Sequence, residues 1–247
     1  HLHDSHNCYP LAPEKFKITE EMLSPFMREK FPEFKASAER LVPNLYGKTR
    51  YTVHYRNLQL YVDLGMVVTK VHKVLEFEQR PWLKPYISLN TELRREAKTA
   101  FEKDYFKLMI NAMFGKTMEN VRQRISVDLV TDRRIFEKRI SKPMFKRGQV
   151  IGEDLCAVQC YVSTVLLNKP IYCGFTVLEL SKTLMYNFHY NHMRQKYPGD
   201  KLQLMFTDTD SLAYAVETED VYEDMWDDVE LYDFSGYPNG HVLRSDE

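Results

Sequence analysis

The sequence predicts an α+β fold, an antiparallel sheet backed by helices, with one helical hairpin projecting from it. Leu202, Leu204 and Phe206 alternate with other residues before a short acidic turn, and Leu212, Tyr214 and Val216 alternate after it, which is the pattern of a β-hairpin. Ala100 to Arg124 carries Phe101, Tyr105, Leu108 and Ala112 at the spacing of a buried helical stripe. Residues 155–167 are apolar and β-branched, as a strand requires.

Along the chain, residues 1–50 are rich in proline with little periodicity and predict loops and short helices. Asn57 to Leu64 predicts a short helix. From Val67 to Phe77 the odd positions are mostly apolar while Lys70, His72 and Glu76 fall between them, a half-buried strand that Pro81 and Pro85 break. Asn90 or Thr91 is placed to cap a long helical segment running through Arg94 and Lys98 into the Ala100–Arg124 helix. Positions 125–150 predict one or two strands joined by a basic turn at Arg133-Arg134. Pro170 opens a helix from about Ile171 to Lys196, with Val177, Leu180, Leu184 and Phe188 on one face. Pro198-Gly199 ends it, and the hairpin comes next. There is no internal repeat or low-complexity tract.

With 247 residues, 44% hydrophobic and 28% charged, the chain is an ordinary globular composition that can bury one good-sized core. No apolar run approaches the ~20 residues that cross a bilayer, and no signal peptide is visible, so no membrane partner is expected. Cys8, Cys156, Cys160 and Cys173 lack zinc-ribbon spacing and read as reduced thiols of an intracellular protein, the compartment being open (a nuclear, viral or mobile-element setting). His1, His3, His6 and Cys8 form a nominal transition-metal set, for which a solvated terminus is the preferred reading. A chain that starts at His1 is expected to be a piece of a longer one. The formal net charge of −1 hides a division. Arg94 to Arg147 holds fifteen Lys or Arg against seven Asp or Glu, a local excess that suits a phosphate backbone, while Glu217 onward holds eleven acids and one arginine, read as a solvated strip.

Two clusters carry chemistry. Thr207-Asp208-Thr209-Asp210-Ser211 lifts two carboxylates to the tip of a ribbon. In a strand, residues two apart share a face, so Asp208 and Asp210 are expected to face a common hard cation such as Mg²⁺. Lys107, Asn111 and Gly115 sit four apart and line one strip of a helix. The lysine can hold a phosphate as a point charge. A glycine in mid-helix costs ~1 kcal/mol against alanine and asks for a reason, such as close approach of a flat group.

Together these segments resemble a known family. Lys107-Leu-Met-Ile-Asn111-Ala-Met-Phe114-Gly115 resembles the Lys-x-x-x-Asn-Ser-x-Tyr-Gly motif B of family B DNA polymerases, and Thr207-Asp208-Thr209-Asp210-Ser211 resembles their motif C, usually Tyr-x-Asp-Thr-Asp-Ser. The stretches His3-Asp4-x-His6-Asn7-x-Tyr9-Pro10-Leu-Ala-Pro-Glu14, Val53-His54-Tyr55-Arg56-Asn57-Leu58, Pro81-Trp82-Leu83-Lys84-Pro85-Tyr86 and Gly115-Lys-Thr-Met-Glu-Asn120 are similar to the protein-primed subgroup, that of Maverick/Polinton-type transposons and their viral and linear-plasmid relatives. The likeness covers nearly the whole chain.

The resemblance implies a polymerase palm with a helical fingers hairpin: residues 1–88 as partial palm and a protein-priming insertion, 89–124 as fingers with motif B, and 125–247 as palm with motif C. It implies nucleotidyl transfer from a dNTP to a primer 3′-OH on a DNA primer–template, with two Mg²⁺ ions in the intact enzyme. Asp210 would be the direct metal ligand and Asp208 the supporting one, the pair being the catalytic residues. Lys107 would contact the triphosphate, with Arg95 as a second cation for which Lys98 competes. Asn111 and Gly115 would shape the pocket of the new base pair, and Thr207 and Ser211 would position the hairpin. A terminal priming protein is implied as a partner of the stretch from about Pro13 to Tyr86. The lysine strip and the two aspartates are expected to converge on one dNTP.

Three departures stand out: Ala112, Phe114 and Phe206 replace the family's serine and two tyrosines. No Asp-x-x-(Ser/Asn)-Leu-Tyr motif A is present, and Asp4 and Asp63 are poor substitutes. The exonuclease and most of the thumb are expected to be absent too; without the motif A carboxylate two cations lack their shared bridge, so the isolated chain is expected to be inactive. The alternative is a transposon-derived remnant that binds DNA or another protein without catalysis. Reverse transcriptases and nucleotide cyclases lack the Lys-x-x-x-Asn helix ahead of the acidic hairpin.

Overall fold

The structure, a computed structural model, describes residues 9–32, 39–208, 210–238 and 240–241. The His1/His3/His6/Cys8 set, Asp4 and Thr209 lie outside them. Helices and antiparallel strands make an α+β chain, and among the described residues the strands form three small sheets rather than one. In order come β1 (Glu14–Lys17), α1 (Pro25–Lys30), β2 (Glu39–Val42), α2 (Tyr55–Asp63), α3 (Lys84–Glu96) and α4 (Ala100–Thr117). They are followed by β3 (Ile125–Val130), α5 (Arg133–Ile140), β4 (Phe145–Gly152), β5 (Leu155–Tyr161) and α6 (Ile171–Asn187). The hairpin β6 (Leu202–Asp208) and β7 (Ser211–Val216) and the short α7 (Val221–Asp227) complete it. The chain divides into two compact units, His1–Leu75 with Glu179–Glu247, and Glu76–Leu178.

In the first unit, Leu11, Ala12, Leu60, Tyr61, Tyr186 and Tyr190 form one buried cluster. Tyrosine hydroxyls tie the segment after residue 8 to it: Tyr51 donates to the Pro13 carbonyl (2.9 Å), Tyr186 to Pro10 (3.1 Å) and Tyr190 to Tyr9. A second cluster, Met193, Tyr197 and Leu202, receives Phe188, Tyr214 and Val216 and seats the β6–β7 hairpin. α6 runs on through a π-helical turn at Phe188–Met193 and a last α turn to Lys196. Gly199, at φ +69°, supplies the left-handed turn that reverses the chain into β6.

In the second unit, α3 and α4 form a helical hairpin, with the Tyr86 hydroxyl donating to the Met109 carbonyl (3.1 Å). Thr99 starts α4 with a reciprocal capping box: its Oγ1 accepts from Glu102 N–H (3.2 Å) and its own N–H donates to Glu102 Oε2 (3.0 Å). Strands order as β3-β5-β4, and α5 covers one face, where Phe136 packs on Val158 and Cys160.

Several sequence expectations give way here. The long helix through Arg94 and Lys98 is two helices, broken at residues 97–99, and Pro85 opens α3 rather than ending a strand. Asn90 and Thr91 cap nothing; they lie inside α3 and donate back to the Tyr86 and Ile87 carbonyls. Val67 to Phe77 forms no strand and is exposed, since an alternating pattern needs a neighbouring strand to bond its backbone. Arg133-Arg134 opens a helix instead of a turn, because Asp132 caps it, accepting from Ile135 N–H (3.0 Å). The stripe Phe101, Tyr105, Leu108, Ala112 is exposed, Phe101 at 78%, while Phe106, Met109, Ile110, Met113, Phe114 and Thr117 form the packed side. α4 carries apolar residues on its exposed side as well as its packed one, so spacing alone does not select its inner face. On α6, Val177, Leu180 and Leu184 are exposed and the buried positions are Gly174, Glu179 and Tyr186.

Candidate functional site

The β6–β7 register pairs Leu202 with Val216, Gln203 with Ala215 and Leu204 with Tyr214. It then skips Met205 and pairs Phe206 with Ala213, Thr207 with Leu212 and Asp208 with Ser211. Residues opposite one another in an antiparallel ladder share a face. Unbroken alternation would therefore put Phe206 and Asp208 on the packed face with Leu202 and Leu204. The bulge at Met205 turns both to the other face, and both are exposed. Asp208 is the last strand residue, and Asp210 lies in the two-residue turn, exposed. The expectation that strand alternation aligns the two carboxylates thus fails, because the second is no longer in a strand. Both still occupy the hairpin tip. Ser211 stands across from Asp208, and Thr207 shares the face of Tyr214.

The tip stands on a rigid base. His189, fully buried in the π-helical turn, has Nδ1 2.9 Å from the Tyr214 hydroxyl, and the two rings stack at 5.7 Å with 5° between planes. Tyr9 and Tyr190 meet the same imidazole edge-on, at 5.4 and 4.6 Å. A π turn inserts one extra residue into the helix and re-aims the side chains beyond it, a feature frequent at functional sites. No sequence signal singles out His189; a histidine in an apolar helix gives none of its own, and neither does the π turn.

Below the hairpin, the acidic stretch is less solvated than its composition suggests. Asp220 caps α7, accepting from Tyr222 N–H (2.8 Å). Asp224 accepts from the Tyr197 hydroxyl (2.9 Å) and from Thr218, and Asp228 accepts from Lys196 Nζ. The Thr218 hydrogen bond, with that of Tyr197, holds the Asp224 carboxyl below its ordinary range, and burial with the Asp224 contact pushes the Tyr197 phenol up.

In the other unit, Lys107, Asn111 and Gly115 lie on one exposed strip of α4. A Cβ at Gly115 would meet nothing within 4 Å, so packing inside the unit does not demand the glycine. Lys107 makes no ion pair among the described residues, whereas Arg95 is held by Glu92 one turn earlier on α3. Below the strip, Glu119 gathers Arg124 (2.6 Å), Lys116 (3.0 Å) and Lys169 (3.3 Å). Arg124 foremost keeps this carboxyl well below the usual carboxylate range.

Among the described residues no group of three or more His, Cys, Asp or Glu side chains is placed to hold a metal ion. No described helix is long and apolar enough to cross a membrane. No protein-family model, no curated protein and no solved structure matches the chain.

Proposed function

We propose that this chain serves DNA-templated DNA synthesis, the transfer of a nucleotide from a dNTP to a primer 3′-OH. The observation that carries the reading is the two-aspartate tip, on a hairpin whose Met205 bulge turns Asp208 away from the core. On this reading the hairpin and its supporting helices are a polymerase palm, and α3–α4 are fingers. Two exposed carboxylates are a donor set that Mg²⁺ accepts together with water and substrate phosphates. When bound there, Mg²⁺ neutralises triphosphate charge and activates the primer hydroxyl. Asp210 is assigned as its direct ligand and Asp208 as its support, with Thr207 and Ser211 fixing the turn. Lys107 offers an unpaired ammonium to a triphosphate, and Arg95 must leave Glu92 to do the same. Asn111 and the bare edge at Gly115 leave room for a base pair. The primer–template is the DNA partner, a terminal priming protein is a further one, and a mobile-element origin accords with the motifs.

One observation favours a second reading. A shared pair of cations needs more carboxylates than two, and the described residues bring no third to the hairpin. A catalytically inactive DNA-binding or interaction module would look the same.

Thermal unfolding separates the two. With Mg²⁺ and dNTP at a hundredfold excess over Kd, binding stabilises the native state by about 2.7 kcal/mol, a rise in Tm of roughly 5–10 °C. Asp210→Asn and Lys107→Ala should each remove that rise while leaving primer–template affinity nearly unchanged. A chain that binds DNA with no such rise is the inactive module. An undiminished rise in Asp210→Asn refutes the metal assignment.

A further inference from the structure

Between α2 and α3 the backbone from Met66 to Pro81 contains no helix, strand, turn or bend. Residues 67–80 are all exposed, Val67 at 83%, Val74 at 76% and Leu75 at 68%. None of their main-chain N–H or C=O groups meets another main-chain group among the described residues. Arg80 pairs with Glu78 (3.5 Å), and the Phe77 ring stacks on Tyr172 in the first turn of α6, with 4.8 Å between centres and 24° between planes. A straight segment rich in valine, with its backbone bonds unmade on both edges, is a strand without its neighbour.

Charge selects the neighbour that fits. Folded against a second copy of itself, antiparallel and centred on Val74, the segment sets Lys70 opposite Glu78 and His72 opposite Glu76. It also sets Val71 opposite Phe77 and the Lys73 stem opposite Leu75. Each of these rungs occurs twice, once on either side of the twofold axis, and no like charges meet. Centred on Lys73 instead, two lysines face each other; centred on Leu75, Lys70 faces Arg80. A parallel pairing in register puts every lysine and glutamate against its like. Only the register about Val74 gives both Glu76 and Glu78 a nitrogen donor from residues 67–80.

We infer that residues 68–80 are a self-docking strand, through which two copies of this chain pair antiparallel about Val74. The contact is isologous, so it closes at the dimer. It is separate from the hairpin site and independent of the polymerase reading. Thirteen residues give a ladder ~40 Å long at strand rise. Pro81, with no N–H to offer, ends it. A bare two-stranded ribbon is marginal in water, so the dimer is a weak one, of micromolar dissociation constant. The face of Val71, Leu75 and Phe77 contributes what the backbone alone does not: Tyr172 already lies on Phe77, and across the axis Val71 of one copy meets Phe77 of the other.

Sedimentation velocity of the full chain tests this. At about 200 µM it should show a dimer that dissociates on dilution to about 1 µM. Lys70→Glu with His72→Glu, and Glu76→Lys with Glu78→Lys, should each weaken the dimer about tenfold or more, since carboxylates then face carboxylates, or cations and imidazoles face cations. Mixed in equal amounts, the two double variants should dimerise again, because each of those rungs then joins a carboxylate to a nitrogen donor. Damage to folding is not repaired by mixing, and the Tm of each variant should match the parent's because the altered side chains are exposed. A parent chain that stays monomeric at the highest concentration, its strand covered by another segment or another protein, overturns the assignment. So does a dimer that both charge-reversed variants form undiminished, a mixture that fails to restore it, or assembly that grows past two copies. Asp210→Asn should dimerise as the parent does, so failure of this contact and failure of the dNTP reading are distinguished.

Discussion

Glu179 is 1% exposed and takes every bond its surroundings offer. Its Oε2 accepts from the His54 backbone N–H (3.1 Å) and from Asn57 Nδ2 (3.0 Å), and its Oε1 from Lys182 Nζ (2.8 Å). Asn57, itself buried, also donates to Tyr61, and its Oδ1 finds no partner among the described residues. Replacing Glu179 by alanine strands a backbone donor and an amide in the interior. Removing one partner of a buried charged network costs about 3–5 kcal/mol. Glu179→Ala should lose about that much in urea unfolding, whereas Lys182→Met, which leaves both donors to Oε2 in place, should lose less. Equal losses would mean that the ion pair, rather than the satisfied donors, holds the site. The sequence made Asp208, Asp210 and Lys107 legible because their types and spacing repeat a motif. Glu179, Asn57 and His189 stayed hidden because the stripe read on α6 put Glu179 on the solvent side, and a lone polar residue within an apolar helix carries no signal of its own.

At the scale of elements, length and type were readable where one pattern dominates. The short helix near Asn57, the strand from 155, the helix after Pro170 and the acidic hairpin all form. Facing was not readable. α4 has apolar residues on its exposed side as well as its packed one, and on α6 the inner positions carry glycine, glutamate and tyrosine in place of aliphatics. Bulges escape a period-2 scan altogether, since one extra residue at Met205 reverses every side chain beyond it. Gly174 shows what fixes the inner face of α6. A Cβ there would stand 2.2 Å from Met118 Cγ and 2.7 Å from Thr117 Oγ1. Alanine gains ~1 kcal/mol of helix propensity over glycine, yet overpacking of this kind costs about 1–3 kcal/mol. Gly174→Ala should therefore be net destabilising by up to about 2 kcal/mol, and Met118→Ala in the same chain should recover part of the loss. A Gly174→Ala chain more stable than the parent would show that the two helix ends separate freely.

Across the whole molecule, the near-zero net charge conceals one basic and one acidic unit, a division visible in the sequence as soon as charge is summed by segment. What the sequence did not reveal is how the N-terminal stretch is held, since tyrosine hydroxyls meeting main-chain carbonyls obey no local rule. That clasp has a pH signature. Burial, above all, raises the phenols of Tyr9, Tyr51 and Tyr186 above their ordinary value, and that of Tyr61 to about 12. An unfolded chain releases those protons near pH 10 while the folded one retains them. Below pH 10 both states are protonated and stability does not respond. As pH rises from 10 through 12, the unfolded state ionises first and the native state loses ground. Tyr61 alone accounts for about 2–3 kcal/mol by pH 12, at 1.36 kcal/mol per pKa unit. Urea unfolding at pH 8, 9.5 and 11 should show a plateau and then a fall. Tyr61→Phe forfeits the Asn57 hydrogen bond, so it should start lower at pH 8 by about 1 kcal/mol and decline less steeply above pH 10. Parallel declines in parent and variant would place the alkaline sensitivity elsewhere than in the clasp.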